Sequence, residues 1–404
     1  MTRFVVVGAG PAGLSLAYLL AQQGHQVALV DASSNFSRQF RGDALMPCGL
    51  EALSHMGLSN LVAELPQRPL QDWSVWIEGR RLFRVSEPMG SLQPCRLVAQ
   101  QQLLEALLER ALQLPTLQWY PGQSVQSLLH TGEPSNRISG VQLADGQCLE
   151  ADLVVGCDGR QSLLRRLAGL KLSSQAPGLD LLWFELPAPL PSGQWEGFNT
   201  LVAGGQIGSA CLGANGSLQL AWLLQPGASV PRLELNAWAE QLAALMPEPM
   251  AAVFLEHADR LEGPRRVSVQ VGLAERWQRP GLLLLGDAAH PMSPVRAQGI
   301  NMALRDSVVA AHWLSRATTA ELDAAAVQVE RQRRPEIQRM QRLQQAEASQ
   351  GHRIGHSALL RHSLALLSPV LGPVAQRVWQ QRQKPLRLGL PGALPAAALS
   401  PSIS

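Results

Sequence analysis

The chain has 404 residues, 46% of them hydrophobic and 16% charged, with a formal net charge of +3. That length predicts two or three lobes, the composition excludes a disordered chain, and the small charge gives no ground for a nucleic-acid partner. The five cysteines show neither a CxxC nor a metal-ligand spacing, so no disulfide framework and no metal site is expected, and a reducing cytoplasm is the expected location.

In chain order, Phe4 to Val7 is a short β-rich run suited to a buried parallel strand. It breaks at Gly8, so no signal peptide is expected, and no later apolar run reaches the ~18 residues of a spanning helix. Gly8, Gly10 and Gly13 spell G-x-G-x-x-G. A helix is predicted over Leu14 to Gln23, a second strand over Val27 to Val30, and Asp31 closes that strand. In such a unit the first glycine makes the tight turn and the second admits a pyrophosphate. The third permits close packing of helix on strand, and the helix amino terminus, with Ala12 in its first turn, offers N–H groups to phosphate. Asp31 stands where an acid can hold ribose hydroxyls. This motif alone does not separate FAD from NAD.

Leu153 to Gly156 is another predicted strand, followed by Asp158-Gly159; Leu282 to Leu285 is a third, followed by Gly286-Asp287. Open α/β sheets bind ligands just past such strand ends. Between them, residues 173–267 hold short β-like runs (Asp180 to Glu185, Thr200 to Val202, Leu218 to Leu224) separated by Pro and Gly, which predicts a mixed or antiparallel sheet. An irregular stretch from His290 to Gly299 precedes a helix over Ile300 to Leu314. The amino terminus of that helix, at Gln298, Gly299, Ile300 and Asn301, is a second anion-ready end. Glu321 to Ser349 predicts a helix with a kink or break at Pro335. Leu359 to Trp379 predicts two short helices, and the segment 391–404 a flexible tail.

Taken together, the motifs resemble the class A flavoprotein monooxygenases, the family of para-hydroxybenzoate hydroxylase, the ubiquinone-ring hydroxylases and kynurenine 3-monooxygenase. Gly8, Gly10, Gly13, Asp158, Gly159, Gly286 and Asp287 match its three motifs in order. The resemblance implies an α/β fold. A Rossmann-like FAD-binding domain (1–66, 96–172 and 268–325) would be interleaved with a smaller substrate domain on a mixed or antiparallel β-sheet (67–95 and 173–267). C-terminal helices over 326–390 would follow. It implies non-covalent FAD, NADPH or NADH as a transient co-substrate, and O2. The cofactor-binding residues it suggests are Gly8, Gly10, Ala12, Gly13, Asp31, Arg41, Arg96, Asp158, Gly286, Asp287, Gln298, Gly299, Ile300 and Asn301. Arg41 and Pro294 would lie near the flavin ring, and His290 would orient its loop. The implied reaction is hydroxylation or epoxidation of an apolar or aromatic small molecule through a flavin C4a-hydroperoxide. An isoprenoid reductase on the same scaffold and a non-catalytic flavin-binding protein are the alternatives.

Two positions depart from the family pattern. Ala297 stands where a glycine is usual, at a cost of about 1 kcal/mol if its φ is positive. Asp31 stands where Glu is commoner. Only Tyr18 and Tyr120 are present, and neither suits a tyrosine relay to a phenol. Trp183, Trp195 and Trp222 could line an apolar pocket or fill an ordinary core. The apolar character of Leu359 to Trp379, with scattered basic residues, leaves room for weak peripheral membrane contact.

Overall fold

The computed structural model describes residues 1–37, 43–132, 136–174, 180–191, 193–224 and 229–396. Among the described residues a six-stranded sheet runs in the order Gln278–Arg279, Leu282–Leu284, Leu153–Gly156, Arg3–Val7, Gln26–Asp31 and Leu117–Pro121. All neighbours pair in parallel except the first two. Val5, Val6, Val154, Val155 and Leu283 are buried, as continuous apolar runs must be when helices cover both faces. In register, Val7 stands beside Val30 and Gly156, and Gly156 beside Leu284. Three segments distant in sequence therefore end side by side at one edge.

A second, seven-stranded sheet has the order Glu262–Val267, Leu181–Leu186, Leu218–Leu223, Gln206–Leu212, Phe198–Ala203, Asp72–Ile77 and Arg80–Ser86. It is mixed: Phe198–Ala203 runs parallel to Asp72–Ile77, and the other pairs are antiparallel. Period-two alternation gives it two distinct faces. Leu182, Phe184, Leu201, Ala210, Leu220 and Trp222 form a core with Trp195 and with Trp238 and Phe254 of two covering helices. The opposite face carries Trp73, Phe198 and Cys211, and it turns toward the first sheet's lobe, whose core contains Trp73 and Cys211.

The helix Gln298–Leu314 crosses the first helix, Pro11–Gln22, and Ser307 Oγ donates to the Ala12 carbonyl at 2.7 Å. The helix Leu322–His356 runs continuously through Pro335, so of the kink or break expected there the break does not occur. Its middle is fastened by buried ion pairs of Arg333 and Glu336 on either side of the proline, which offset one lost backbone hydrogen bond. Two more helices follow, Ala358–Leu366 and Ser368–Leu388. Beyond them Ala393 is buried, and its carbonyl accepts from Gln332 Nε2 at 3.1 Å.

Candidate active site

The glycine-rich loop is built for close approach. Gly8 has φ +101°, and a Cβ there would lie 2.3 Å from the Cys157 carbonyl oxygen. A Cβ on Gly13 would lie 1.9 Å from the Gly8 oxygen, so helix and strand meet only because both side chains are absent. At Gly10 a Cβ would meet nothing within 4 Å, and this glycine borders open space instead of packing. The helix from Pro11 begins with no side-chain cap and no acid in its first turn, which leaves its N–H groups to a ligand. The helix from Gln298 begins in the same way. Gly286 packs its Cα side against Ala12, bringing the two helix ends together.

The acids follow the strand ends. Asp31 accepts from Ala9 N and Ser33 N, each at 2.7 Å, and so fixes the loop at the end of its strand. Asp158 accepts from Ser162 Oγ and from Leu164 N at 3.0 Å, capping the short helix Leu163–Leu167. Asp287 accepts from Arg160 Nε at 3.0 Å. Arg160 thus ties the second motif to the third, a link no spacing rule flagged. The side chains of Gln298 and Asn301 brace the site. Gln298 Nε2 donates to the carbonyls of Arg296 and Leu386. Asn301 Oδ1 accepts from Met46 N, and its Nδ2 donates to the carbonyls of Ala44 and Ala297. Gly299 and Ile300 lie in the first turn between them. Arg96 opens the strand Arg96–Val98 and donates to Gln67 Oε1 at 3.0 Å. Arg41 lies outside the described residues.

Pro294 starts a tight turn over Val295–Ala297 in which both Arg296 (φ 59°) and Ala297 (φ 48°) are left-handed. The strain at Ala297 is therefore present, and a second strained residue precedes it. Arg296 is held by an aromatic box: its guanidinium carbon lies 4.9 Å from the Trp73 ring, 5.0 Å from Trp379 and 5.9 Å from Phe198, and Nε donates to Glu347 at 2.8 Å. These contacts supply cation–π and ion-pair stabilisation of the size needed to hold such a turn.

Behind the third motif lies a buried charge chain. His290 Nε2 is 2.6 Å from Asp306 Oδ2, and Gly286 N donates to the same oxygen at 3.0 Å. Arg333 Nε donates to Asp306 Oδ1 at 2.7 Å and pairs with Glu336. Glu336 also pairs with Arg305, and Arg305 reaches Glu51. Burial would raise the Asp306 pKa, but His290 and Arg333 outweigh it and hold the carboxyl below its ordinary value.

One residue that sequence reasoning missed is Asp43. It is partly buried between Gln219 Nε2 (3.3 Å) on the inner face of the second sheet and Gln100 N (3.4 Å). Desolvation, with the Glu185 charge beside it, pushes its pKa up to about 6 against the lowering effect of those two hydrogen bonds. The next residue, Ala44, is tied to Asn301. Asp43 therefore stands between the motif helix and the inner face. Nothing in its local sequence marks it, because burial against Gln219 is a tertiary contact. Of the three tryptophans, Trp195 and Trp222 belong to the outer core, whereas Trp183 alternates onto the inner face. Tyr18 lies within the first helix with its hydroxyl bonded to Gln22, and Tyr120 on an edge strand donates to Gln118. Among the described residues no group of three His, Cys, Asp or Glu is placed to hold a metal ion.

A strand-end glycine loop, two uncapped helix ends, the opening at Gly10 and the Asp31 and Asp287 carboxylates fit a flavin dinucleotide. They define a dinucleotide-binding protein of the Rossmann type. The family model described as FAD binding domain matches residues 1–343, and the chain belongs to that family, the class A FAD-dependent monooxygenases. It is 34% identical over 400 residues to 6-methylpretetramide 4-monooxygenase of Streptomyces rimosus, covering 93% of this chain and 92% of that one. It is 27% identical to 6-hydroxynicotinate 3-monooxygenase of Pseudomonas fluorescens, covering 84% and 90%. The solved 2-methyl-3-hydroxypyridine-5-carboxylic acid oxygenase superposes with a TM-score of 0.73 at 25% identity, covering 93% of this chain and 98% of that one. The protein is an enzyme that uses FAD, NAD(P)H and O2 to insert oxygen into a small molecule.

Proposed function

We propose that the substrate is a flat, largely apolar aromatic ring compound bearing a ring hydroxyl, bound between the flavin and the inner face of the second sheet. The observation that carries this reading is the composition of that face. In register across it stand Trp183, Ala221, Ser209, Thr200 and Val75, with Gln219, Cys211, Phe198 and Trp73 in the next row. Small side chains at its centre leave width for a ring system, Trp183 at one flank offers a stacking surface, and at the other flank Trp73 and Phe198 close the face around Arg296. The similarity to the 6-methylpretetramide enzyme over nearly the whole chain supports the same class.

In this reading the first loop and Asp31 hold the adenosine diphosphate half of FAD, and Asp287 with the N–H groups of Gly299 and Ile300 holds the ribityl and ring. Bound FAD, reduced by NAD(P)H and then exposed to O2, supplies an electrophilic oxygen. The chain's own residues do the rest. The aromatic face excludes water and sets the ring's distance, while Asn301 and Gln298 fix the helix end. Asp43, ionised above pH 6, accepts the proton of the ring hydroxyl at a carboxylate oxygen, which makes the ring electron-rich.

The test follows NAD(P)H loss and the product mass of FAD-loaded enzyme with 6-methylpretetramide and, separately, 6-hydroxynicotinate. A product one oxygen heavier from the first and none from the second is expected. Preferential turnover of the small anionic ring would overturn the substrate class. NAD(P)H oxidation that yields reduced product without oxygen gain would favour the isoprenoid-type reductase.

A further inference from the structure

The two C-terminal helices carry an apolar ridge that none of the described residues covers. Leu359 (81% exposed), Leu366 (69%), Val370 (73%) and Val374 (60%) stand out, and Leu367 and Val378 extend the ridge. Along Ser368–Leu388 the exposed residues Val370, Val374 and Val378 recur every fourth position and form one stripe. The opposite stripe is fixed to the protein. Trp379 packs on Trp73 and Phe83, Gln383 donates to Glu347, and Arg387 forms a buried pair with Glu87. Gly372 lies so close to the Leu82 carbonyl that a Cβ would be 2.4 Å from it. The ridge is therefore an outward face on an anchored platform, and the anchoring excludes a spanning role for these helices. No single helix among the described residues is long and apolar enough to cross a membrane, and the two helices meet at a bend of 102°.

The surrounding charge is one-sided. From Ala348 to Ser404 the sequence contains no Asp or Glu, but it holds Arg353, Arg361, Arg377, Arg382, Lys384 and Arg387, with His352, His356 and His362. Arg353, Arg377, Arg382 and Lys384 are exposed, as are Arg80 and Arg81 on the strand beneath. The acids facing the platform from neighbouring elements are already paired: Glu78 with Arg361, Glu87 with Arg387, Glu347 with Arg296 and Asp72 with Arg84. A second copy of the same cationic face is disfavoured by like-charge repulsion. A negatively charged bilayer meets both the apolar stripe and its basic flanks.

We propose that the ridge of Leu359, Leu366, Val370 and Val374 docks the enzyme peripherally on an anionic phospholipid membrane, with the helices lying in its surface. The inner stripe of the same platform supports the Arg296 box directly through Trp379 and indirectly through Gln383, which donates to the Glu347 carboxylate that holds Arg296, so docking occurs on the back of the element that walls the site. This inference is independent of the substrate proposed above.

The experiment is co-sedimentation of full-length, FAD-loaded protein with vesicles of phosphatidylcholine alone and of phosphatidylcholine with phosphatidylglycerol, at low and high NaCl. Sedimentation velocity without lipid runs in parallel. Binding to the anionic vesicles that weakens with salt is expected. Leu366→Ser and Val370→Ser should each lower it by about tenfold, with flavin content and melting temperature unchanged. Absence of binding to the anionic vesicles would overturn the proposal, and so would binding that these substitutions leave intact. A dimer that the same substitutions dissolve would assign the ridge to a second copy instead.

Discussion

Asp306→Asn strikes the buried charge chain at the point that also anchors the third motif. Asp306 is fully buried and receives three donors: Gly286 N at 3.0 Å, Arg333 Nε at 2.7 Å and His290 at 2.6 Å. An asparagine keeps one acceptor but turns an N–H toward one of those donors and leaves Arg333 without half of its compensation. Breaking a buried pair in this way costs about 3–5 kcal/mol, a large share of a total stability of roughly 5–15 kcal/mol. Removing both partners, with Arg333→Met beside the Met302 sulfur it now approaches at 3.7 Å, leaves Glu336 paired with Arg305. The double variant should therefore recover at least about 2 kcal/mol of the loss. The assay is urea unfolding of all four forms, with and without FAD, near pH 7. A loss below about 1 kcal/mol in the single variant, or a double variant no better than the single, would refute the account of a charge chain whose members depend on one another. The same pair sets an acid limit. The folded pKa of Asp306 lies below the unfolded value, so its stabilisation is complete above the ordinary carboxylate pKa and is lost as pH falls through the depressed one.

Gly10→Val should leave the stability of the FAD-free protein nearly unchanged, because a Cβ there meets nothing within 4 Å, yet abolish flavin retention on purification; retained yellow protein would remove Gly10 from the site. Ala297→Gly should raise the melting midpoint by the equivalent of about 0.5–1 kcal/mol, the left-handed penalty less the entropy of glycine; a fall would show that the Cβ is needed. Asp43 has a folded pKa raised to about 6, so the folded state is penalised as pH rises from the ordinary carboxylate range through 6. Asp43→Asn should therefore match the parent at pH 4, melt higher at pH 8, and lose the upward limb of the hydroxylation pH profile. Equal melting curves at pH 8 would contradict the buried placement.

The local sequence already determined the cofactor class. Glycines at 8, 10 and 13 after an apolar strand, and acids directly after two others, are short-range signals, because strand, turn and helix end are each set by neighbouring residues. The strands, the helix from Gln298 and the strain expected at Ala297 were legible for the same reason. What only the tertiary structure decided depends on residues far apart in the chain. The parallel register places Val7, Gly156 and Leu284 abreast, so three separate motifs become one site. Arg160 reaches Asp287 across 127 positions, Asp43 is buried by Gln219 across 176, and Arg296 is boxed by rings from three elements. The unbroken passage through Pro335 belongs here too, since the ion pairs that hold it come from packing against the motif helix. The inner or outer assignment of Trp183, Trp195 and Trp222 follows from sheet alternation only once the sheet has a lobe on one side and helices on the other. A sequence states the period of such a strand, and packing states which face is the site.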